Sequence, residues 1–245
     1  MAEFKLPTEI VELPSKGILY SKESPLSEGK VEMKYMTARE EDILTNQSYI
    51  DKGTVIEKLL QSLVVTKINF NDLLIGDKNA LMVSARILGY GKNYKFVLDE
   101  EEYEIDLSQV GFKEFEESSI TPGNNEFQFT LPNSENLVTF KLLTQGDEKK
   151  ISTELEGLKR LNKDFSPEIS TRLKYLITSI NGDREKKTIR EFVDNYLLAQ
   201  DARALREHIR KVQPDIDLTF FPSGSENKRP IPINVSFFYP DVTTS

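Results

Sequence analysis

The sequence predicts an α+β protein, because helix-spaced apolar stripes flank a middle region that alternates with a period of two. Stripes at Val55, Ile56, Leu59, Leu60, Leu63 and Val64, and at Ile169, Leu173, Leu176, Ile177 and Ile180, each place one helix face in a core. Between Tyr94 and Leu143 the segments YKFVL, EYEIDL, EFQFTLP and LVTFKLL alternate as strands of an antiparallel sheet do. Four regions follow: an N-terminal arm, strand and helices over 1–92, an antiparallel β insertion over 93–143, a helical bundle over 144–213, and a terminal hairpin and tail over 214–245.

The arm begins with turns bracketed by Pro14 and Gly17 and by Pro25 and Gly29, and VEMKYM then reads as a half-buried strand. Thr37 and Glu40 stand three apart, the spacing at which hydroxyl and carboxylate can satisfy the free amides of a helix start. Thr54 and Glu57 repeat that box before VIEKLLQSLVV. Asp77 is expected to cap a third helix, whose stripe of Ala80, Leu81, Ser84, Ile87 and Leu88 ends at Gly89 and Gly91.

In the middle, Asn124 with Asn125 and Asn133 with Asn136 mark turns. Thr144 and Asp147 open a helix carrying Ile151, Leu155 and Leu158. Ser166 and Pro167 open the next, expected to run through Ile180 until Asn181 and Gly182 stop it. From Lys187 to Val212 the stripe fails at Gln200 and Asp201, so two helices are expected, with Asp201 capping the second. Pro214 ends that helix, and DIDLTFFPSGSENKRPIPINVSFFYP predicts two extended arms around a PSGSENKRP turn, at a sheet edge.

At 245 residues and 38% hydrophobic, the chain can bury a sizeable core. No run approaches the roughly 18 apolar residues of a membrane span, and MAEFKLPTEIVELP lacks the basic start and apolar middle of a secretory signal, so a soluble protein made in a cytosol is expected. With no cysteine, disulfides and thiolate metal sites are excluded; with His208 as the sole histidine, so is a multi-histidine centre. The net charge of −8 is uneven: between Asp99 and Glu117 nine carboxylates face only Lys113, whereas Lys186 to Gln213 is mildly basic. Each reads first as a solvated surface, and second as a charged face that orients partners.

Catalytic signatures are absent. GYGKN at Gly89–Asn93 follows a helix and lacks phosphate-loop spacing, so it reads as helix termination. His208 shares its helix stripe with Ala204, Leu205, Ile209 and Val212, which fits a core or rim imidazole. The acidic strip lacks the ordered alternation and glycine of a calcium loop, GxSxG does not occur, there is no tryptophan for a sugar cleft, and the basic stretch is too modest for nucleic acid. No catalytic, cofactor-binding or metal-binding residue is assigned, and no cofactor is expected. The terminal aromatics Phe237, Phe238 and Tyr239 before Pro240 must partly be core, but consecutive strand residues face opposite ways, so one of the two phenylalanines is expected to face outward as a partner anchor.

The succession LPSKGILY, KVEMKYMTAREEDILTN, LLIGDKNALMVSARILGYG, LVTFKLLTQGDE, AQDARALREHIRKVQPDIDL and SFFYP resembles the baseplate hub assembly protein family of T4-type contractile-tailed bacteriophages, in that order over nearly the whole chain. The resemblance implies a non-enzymatic part in building or forming the tail baseplate. Its partners would be other baseplate or hub proteins, met in the host cytoplasm during assembly, with or without a place in the virion tail baseplate; composition speaks against nucleic acid and membrane, and the uneven charge offers a homo-oligomer of copies of the chain as one reading. Many relatives carry C-x-x-C pairs where this chain has KFVLDEEEYEIDL and FFPSGSENKRP, so a zinc knuckle of relatives has no counterpart here. Partner contacts are expected at Leu13, Pro14 and Lys16 of the arm, at Phe237, Phe238, Tyr239 and Pro240, and at Arg203, Arg206 and Arg210 of the basic helix. A transient assembly chaperone absent from the mature particle is the alternative, and a hydrolase with an unrecognised carboxylate pair is the reading from another class.

Overall fold

A computed structural model describes residues 6–161, 166–222, 226–233, 237 and 238, and its architecture is α+β. Strands β1 (Thr8–Glu12) and β2 (Lys30–Lys34) form an antiparallel hairpin around the LPSKG turn. Helices α1 (Ala38–Leu44), α2 (Gln47–Asp51), α3 (Val55–Leu63) and α4 (Ile75–Tyr90) follow. A hairpin of β3 (Asn93–Leu98) and β4 (Glu101–Asp106) precedes β5 (Phe127–Thr130) and β6 (Leu137–Phe140). Next come α5 (Gln145–Leu161), α6 (Glu168–Leu176), β7 (Ile177–Ile180), α7 (Lys186–Asn195) and α8 (Ala199–Val212). A short hairpin of β8 (Thr219–Phe220) and β9 (Arg229–Pro230) closes the described fold.

The expected β insertion is not one sheet. β3 and β4 pair only with each other, whereas β5 and β6 form a three-stranded sheet with β7, which crosses the expected boundary at 143/144. The helix expected through Ile180 therefore stops at Leu176. Ile177, Thr178 and Ile180 are β-branched, and pairing Val138 with Ile180 rewards extended backbone more than helix propensity does. The terminal hairpin likewise joins no existing sheet edge and makes its own two-stranded ladder.

Capping signals divide into two groups. At α1 the Glu40 carboxylate accepts from the Thr37 amide at 2.9 Å and hydroxyl at 2.6 Å, and at α5 Thr144 and Asp147 exchange bonds reciprocally. Thr54, by contrast, makes no cap bond at α3; its hydroxyl turns back to the Tyr49 carbonyl, and Glu57 meets Lys149 instead. Asp77 and Asp201 lie inside the first turns of α4 and α8, whose caps are Leu74 and Leu198. Both are fully buried and reach across the fold. Asp201 accepts from the Asn133 amide and side chain at 2.8 Å and from the Ser134 amide at 3.0 Å, pinning the β5–β6 loop to α8.

Glu40 provides a pH-dependent clasp. Burial alone would raise its pKa, but hydrogen bonds from Lys34, Ser62 and Thr37 outweigh that and hold it at about 2, below the usual 4.5. A carboxylate with a depressed folded pKa stabilises the fold above its unfolded pKa and loses that contribution as pH falls. Urea titrations are expected to show stability declining between pH 4.5 and about 2. In Glu40→Gln that slope should shrink, with a loss at neutral pH of about 1–3 kcal/mol; an unchanged acid slope would exclude Glu40 as its source.

The two hairpins rich in aromatics pack against each other. Phe220 stands edge-on to Phe96 and to Tyr103 at 5.1 Å from each, Phe237 meets Tyr94 at 5.0 Å, and the Tyr94 hydroxyl donates to the Pro232 carbonyl at 2.8 Å. Arg229 pairs with Asp99 across the same joint. Phe237 is 0% exposed and Phe238 is buried beside it. The outward-facing anchor expected of these two residues is thus corrected: both fill the core, Phe237 against Tyr94 of the β3–β4 hairpin and Phe238 against Phe237. Tyr239 and Pro240 lie outside the described residues.

Candidate docking groove

The LPSKG turn is built to present one side chain. The Leu13 amide bonds the Gly29 carbonyl at 2.8 Å, and the Lys16 amide bonds the Leu13 carbonyl at 2.8 Å, closing the turn. Lys16 and Gly17 then take positive φ of 51° and 76°. A Cβ on Gly17 would lie 2.3 Å from the Ser27 carbonyl oxygen, so glycine is required there.

The turn is riveted from beneath. The buried Asp77 carboxylate accepts from the Ser15 amide at 2.9 Å, the Ser15 hydroxyl at 2.7 Å and the Tyr20 hydroxyl at 2.5 Å. The Tyr20 oxygen in turn accepts from the Leu74 amide at 2.9 Å. Burial pushes the Asp77 pKa up against the pull of these bonds, and it pushes the Tyr20 phenol up as well, helped by the Asp77 charge. The consequence is geometric: Leu13, Pro14 and Ser15 are buried, and Lys16 alone of the four projects outward. The sequence reading of Leu13 and Pro14 as partner contacts is corrected accordingly, since Leu13 is 1% exposed in the core and Pro14 is buried at the edge of the adjoining groove, leaving Lys16 as the exposed residue of the three.

Opposite the turn lies the end of the acidic strip, GFKEFEE. Its backbone is laid along the segment after α8: the Lys113 amide bonds the Asp215 carbonyl at 2.8 Å, the Asp217 amide the Gly111 carbonyl at 2.8 Å, and the Glu116 amide the Lys211 carbonyl at 3.0 Å. Lys16 spans the gap, pairing with Glu117 while its ammonium stands 5.9 Å from the Phe115 ring centre. Between them is a groove of about 370 Å³ lined by Pro14, Lys16, Phe112, Lys113, Glu114, Phe115 and Glu117. Phe112 is 42% exposed although its backbone pairs with Ile216, so a large ring is held at the surface by fixed backbone.

The basic helix reaches this groove with its C-terminal end. Arg203, Arg206 and Arg210 follow the i, i+3, i+7 spacing of one face of α8, which ends beside Lys211 and Glu116. Arg203 is engaged by Glu207 at 2.9 Å, Arg206 bonds the Ala202 carbonyl at 3.2 Å, and Arg210 is exposed. The structure therefore sets Pro14 and Lys16 at the groove, leaves the three arginines on α8 outside its lining, and removes Phe237 and Phe238 to the core. Phe112 and Phe115 were missed from sequence, although two aromatics spaced three apart within a charged loop are a visible signal.

His208 stacks on Phe129 at 4.6 Å and meets the edge of Phe140 at 5.7 Å, a rim imidazole whose pKa is lowered by burial. A second cleft, of about 220 Å³, is lined mainly by leucines, Ile209 and Pro214, with Glu148 tied bidentately to Arg172 at 2.6 and 3.0 Å. Among the described residues no group of three or more histidine, cysteine or acidic side chains could hold a metal ion, and no helix is long and apolar enough to cross a membrane. Comparison with protein-family models, curated proteins and solved structures finds no match.

Proposed function

We propose that this chain is a non-enzymatic structural or assembly protein of a contractile phage tail baseplate, and that it works by docking other baseplate or hub proteins. The order of sequence blocks that resembles the T4-type hub assembly family suggests the biology. The observation that carries the docking reading is the groove, where a riveted turn and a backbone-fixed loop present Lys16, Phe112 and Phe115 around a ready-made concavity. Aromatic rings with a flanking charge, held rigidly before any partner arrives, are the usual source of interface affinity.

Pulldown of co-expressed tail proteins tests this. Phe112→Ala should reduce capture at least about tenfold, corresponding to loss of one anchor of about 1.4 kcal/mol or more. Lys16→Glu should reduce it further by reversing the charge at the rim. Undiminished capture by both variants would exclude the groove as the docking site. Mass spectrometry of purified particles separates a resident component from a chaperone that leaves before maturation.

A further inference from the structure

Among the described residues, the β1–β2 hairpin has one edge covered and one bare. Antiparallel strands alternate residues whose amide and carbonyl point to the partner with residues whose groups point away. Because the Leu13 amide bonds Gly29 and the Tyr35 amide bonds Pro7, the inward set on β1 is Pro7, Glu9, Val11 and Leu13, and the outward set is Thr8, Ile10 and Glu12. On β2 the outward groups of Glu32 are satisfied by the Val65 amide at 2.8 Å and the Thr66 hydroxyl at 2.8 Å. On β1, among the described residues, no backbone or side-chain group bonds the outward amides and carbonyls of Thr8, Ile10 and Glu12.

That edge is short and carries Glu9 and Glu12, yet among the described residues it stays open. No proline or lysine interrupts Thr8 to Glu12, and Ile10 is 61% exposed at its centre. We propose that the outer edge of β1 is a self-association edge, to which β1 of a second copy adds antiparallel about a two-fold axis at Ile10.

The register selects this occupant. Outward residues must face outward residues, so the choices are few. Pairing centred on Ile10 sets Ile10 against its own copy and Thr8 against Glu12 twice, engaging all three positions with about six main-chain hydrogen bonds. The next register toward the C-terminal end would set Ile10 against Glu12 twice and leave Thr8 outside the ladder, the one beyond it would oppose Glu12 to Glu12, and the next toward the N-terminal end would oppose Glu9 to Glu9, so like charges or lost pairs disfavour each. In the centred register each Glu12 lies between Lys30 of its own hairpin and, two strands away, the Lys34 position of the other copy. The product is a four-stranded sheet in the order β2, β1, β1, β2. The proposal does not rest on the baseplate reading.

A five-residue edge is smaller than a standard stable interface, so association should be weak, with Kd on the order of 0.1–1 mM. Sedimentation equilibrium across about 0.01–1 mM protein should show a monomer–dimer equilibrium for the unaltered chain. Ile10→Pro removes only an outward amide and keeps the β1–β2 ladder, so it should fold with an unchanged thermal midpoint yet weaken dimerisation at least about tenfold. Ile10→Lys sets like charges across the axis and should do the same. Two results overturn the proposal: an unaltered chain that stays monomeric throughout, which would leave the edge to a strand of another protein, or variants that dimerise as strongly as the unaltered chain.

Discussion

Asp77→Ala is expected to lower the stability of the protein by about 3–5 kcal/mol, since each buried donor left without an acceptor costs about 1–3 kcal/mol. The carboxylate is the common acceptor for the Ser15 amide, the Ser15 hydroxyl and the Tyr20 hydroxyl, and its loss leaves three donors buried without partners. These contacts tie residues 57 and 62 positions apart in sequence, so the arm loses its seat on α4 as well. Ser15→Ala and Tyr20→Phe should each cost about 1 kcal/mol. Combined with Asp77→Ala each should add less than it costs alone, because its bond to the carboxylate is already gone and only the acceptor it offers to the Leu74 or the Gly17 amide remains to be lost. Urea unfolding of the single and double variants measures this; simple additivity would show that the three side chains do not act as one joint.

Phe237→Ala should cost about 3–5 kcal/mol, the ordinary penalty for emptying a fully buried aromatic site. The ring meets Tyr94 and Phe238 edge-on, each at 5.0 Å, and lies beneath the joint that unites the β3–β4 and β8–β9 hairpins. Truncation before residue 237 should destabilise the hairpin joint for the same reason, and thus cannot serve as a clean test of partner binding. Thermal unfolding of the variant decides between the roles: a midpoint unchanged from the parent chain would mean that the ring contributes nothing to the core.

Local rules succeeded where the physical cause was local. The boxes at Thr37 with Glu40 and at Thr144 with Asp147 are satisfied within one helical turn, and spacing alone reveals them. The failing stripe announced a break between α7 and α8, but the break falls at Tyr196–Leu198, and Gln200 and Asp201, where it was expected, lie inside the first turn of α8. Asp77 and Asp201 misled for the opposite reason. Each sits near a helix start, where a cap is the economical reading, but each serves chain segments more than 55 residues away, and nothing local announces such partners.

The same distinction explains β7 and the tail. Ile177 to Ile180 continue a helical stripe, yet they become a strand because β6 offers an unpaired edge, a fact of tertiary structure. Phe237 and Phe238 carried the signal of an exposed anchor because the contact of Phe237 with Tyr94, far away in the sequence, has no local mark. For the groove, Pro14 and Lys16 were legible as an unusual turn, whereas the loop of Phe112 to Glu117 acquired meaning once its backbone was laid beside residues 211–217.

The docking role is tested most directly by a photoreactive amino acid placed at position 112 and irradiated in cells expressing the tail proteins. Cross-links to a baseplate or hub protein are expected from position 112, and not from position 161, where Leu161 is 87% exposed at the end of α5 and takes no part in the groove lining. Equal labelling from both positions, or none from position 112 under conditions where the chain is captured with its partners, would contradict docking through this groove.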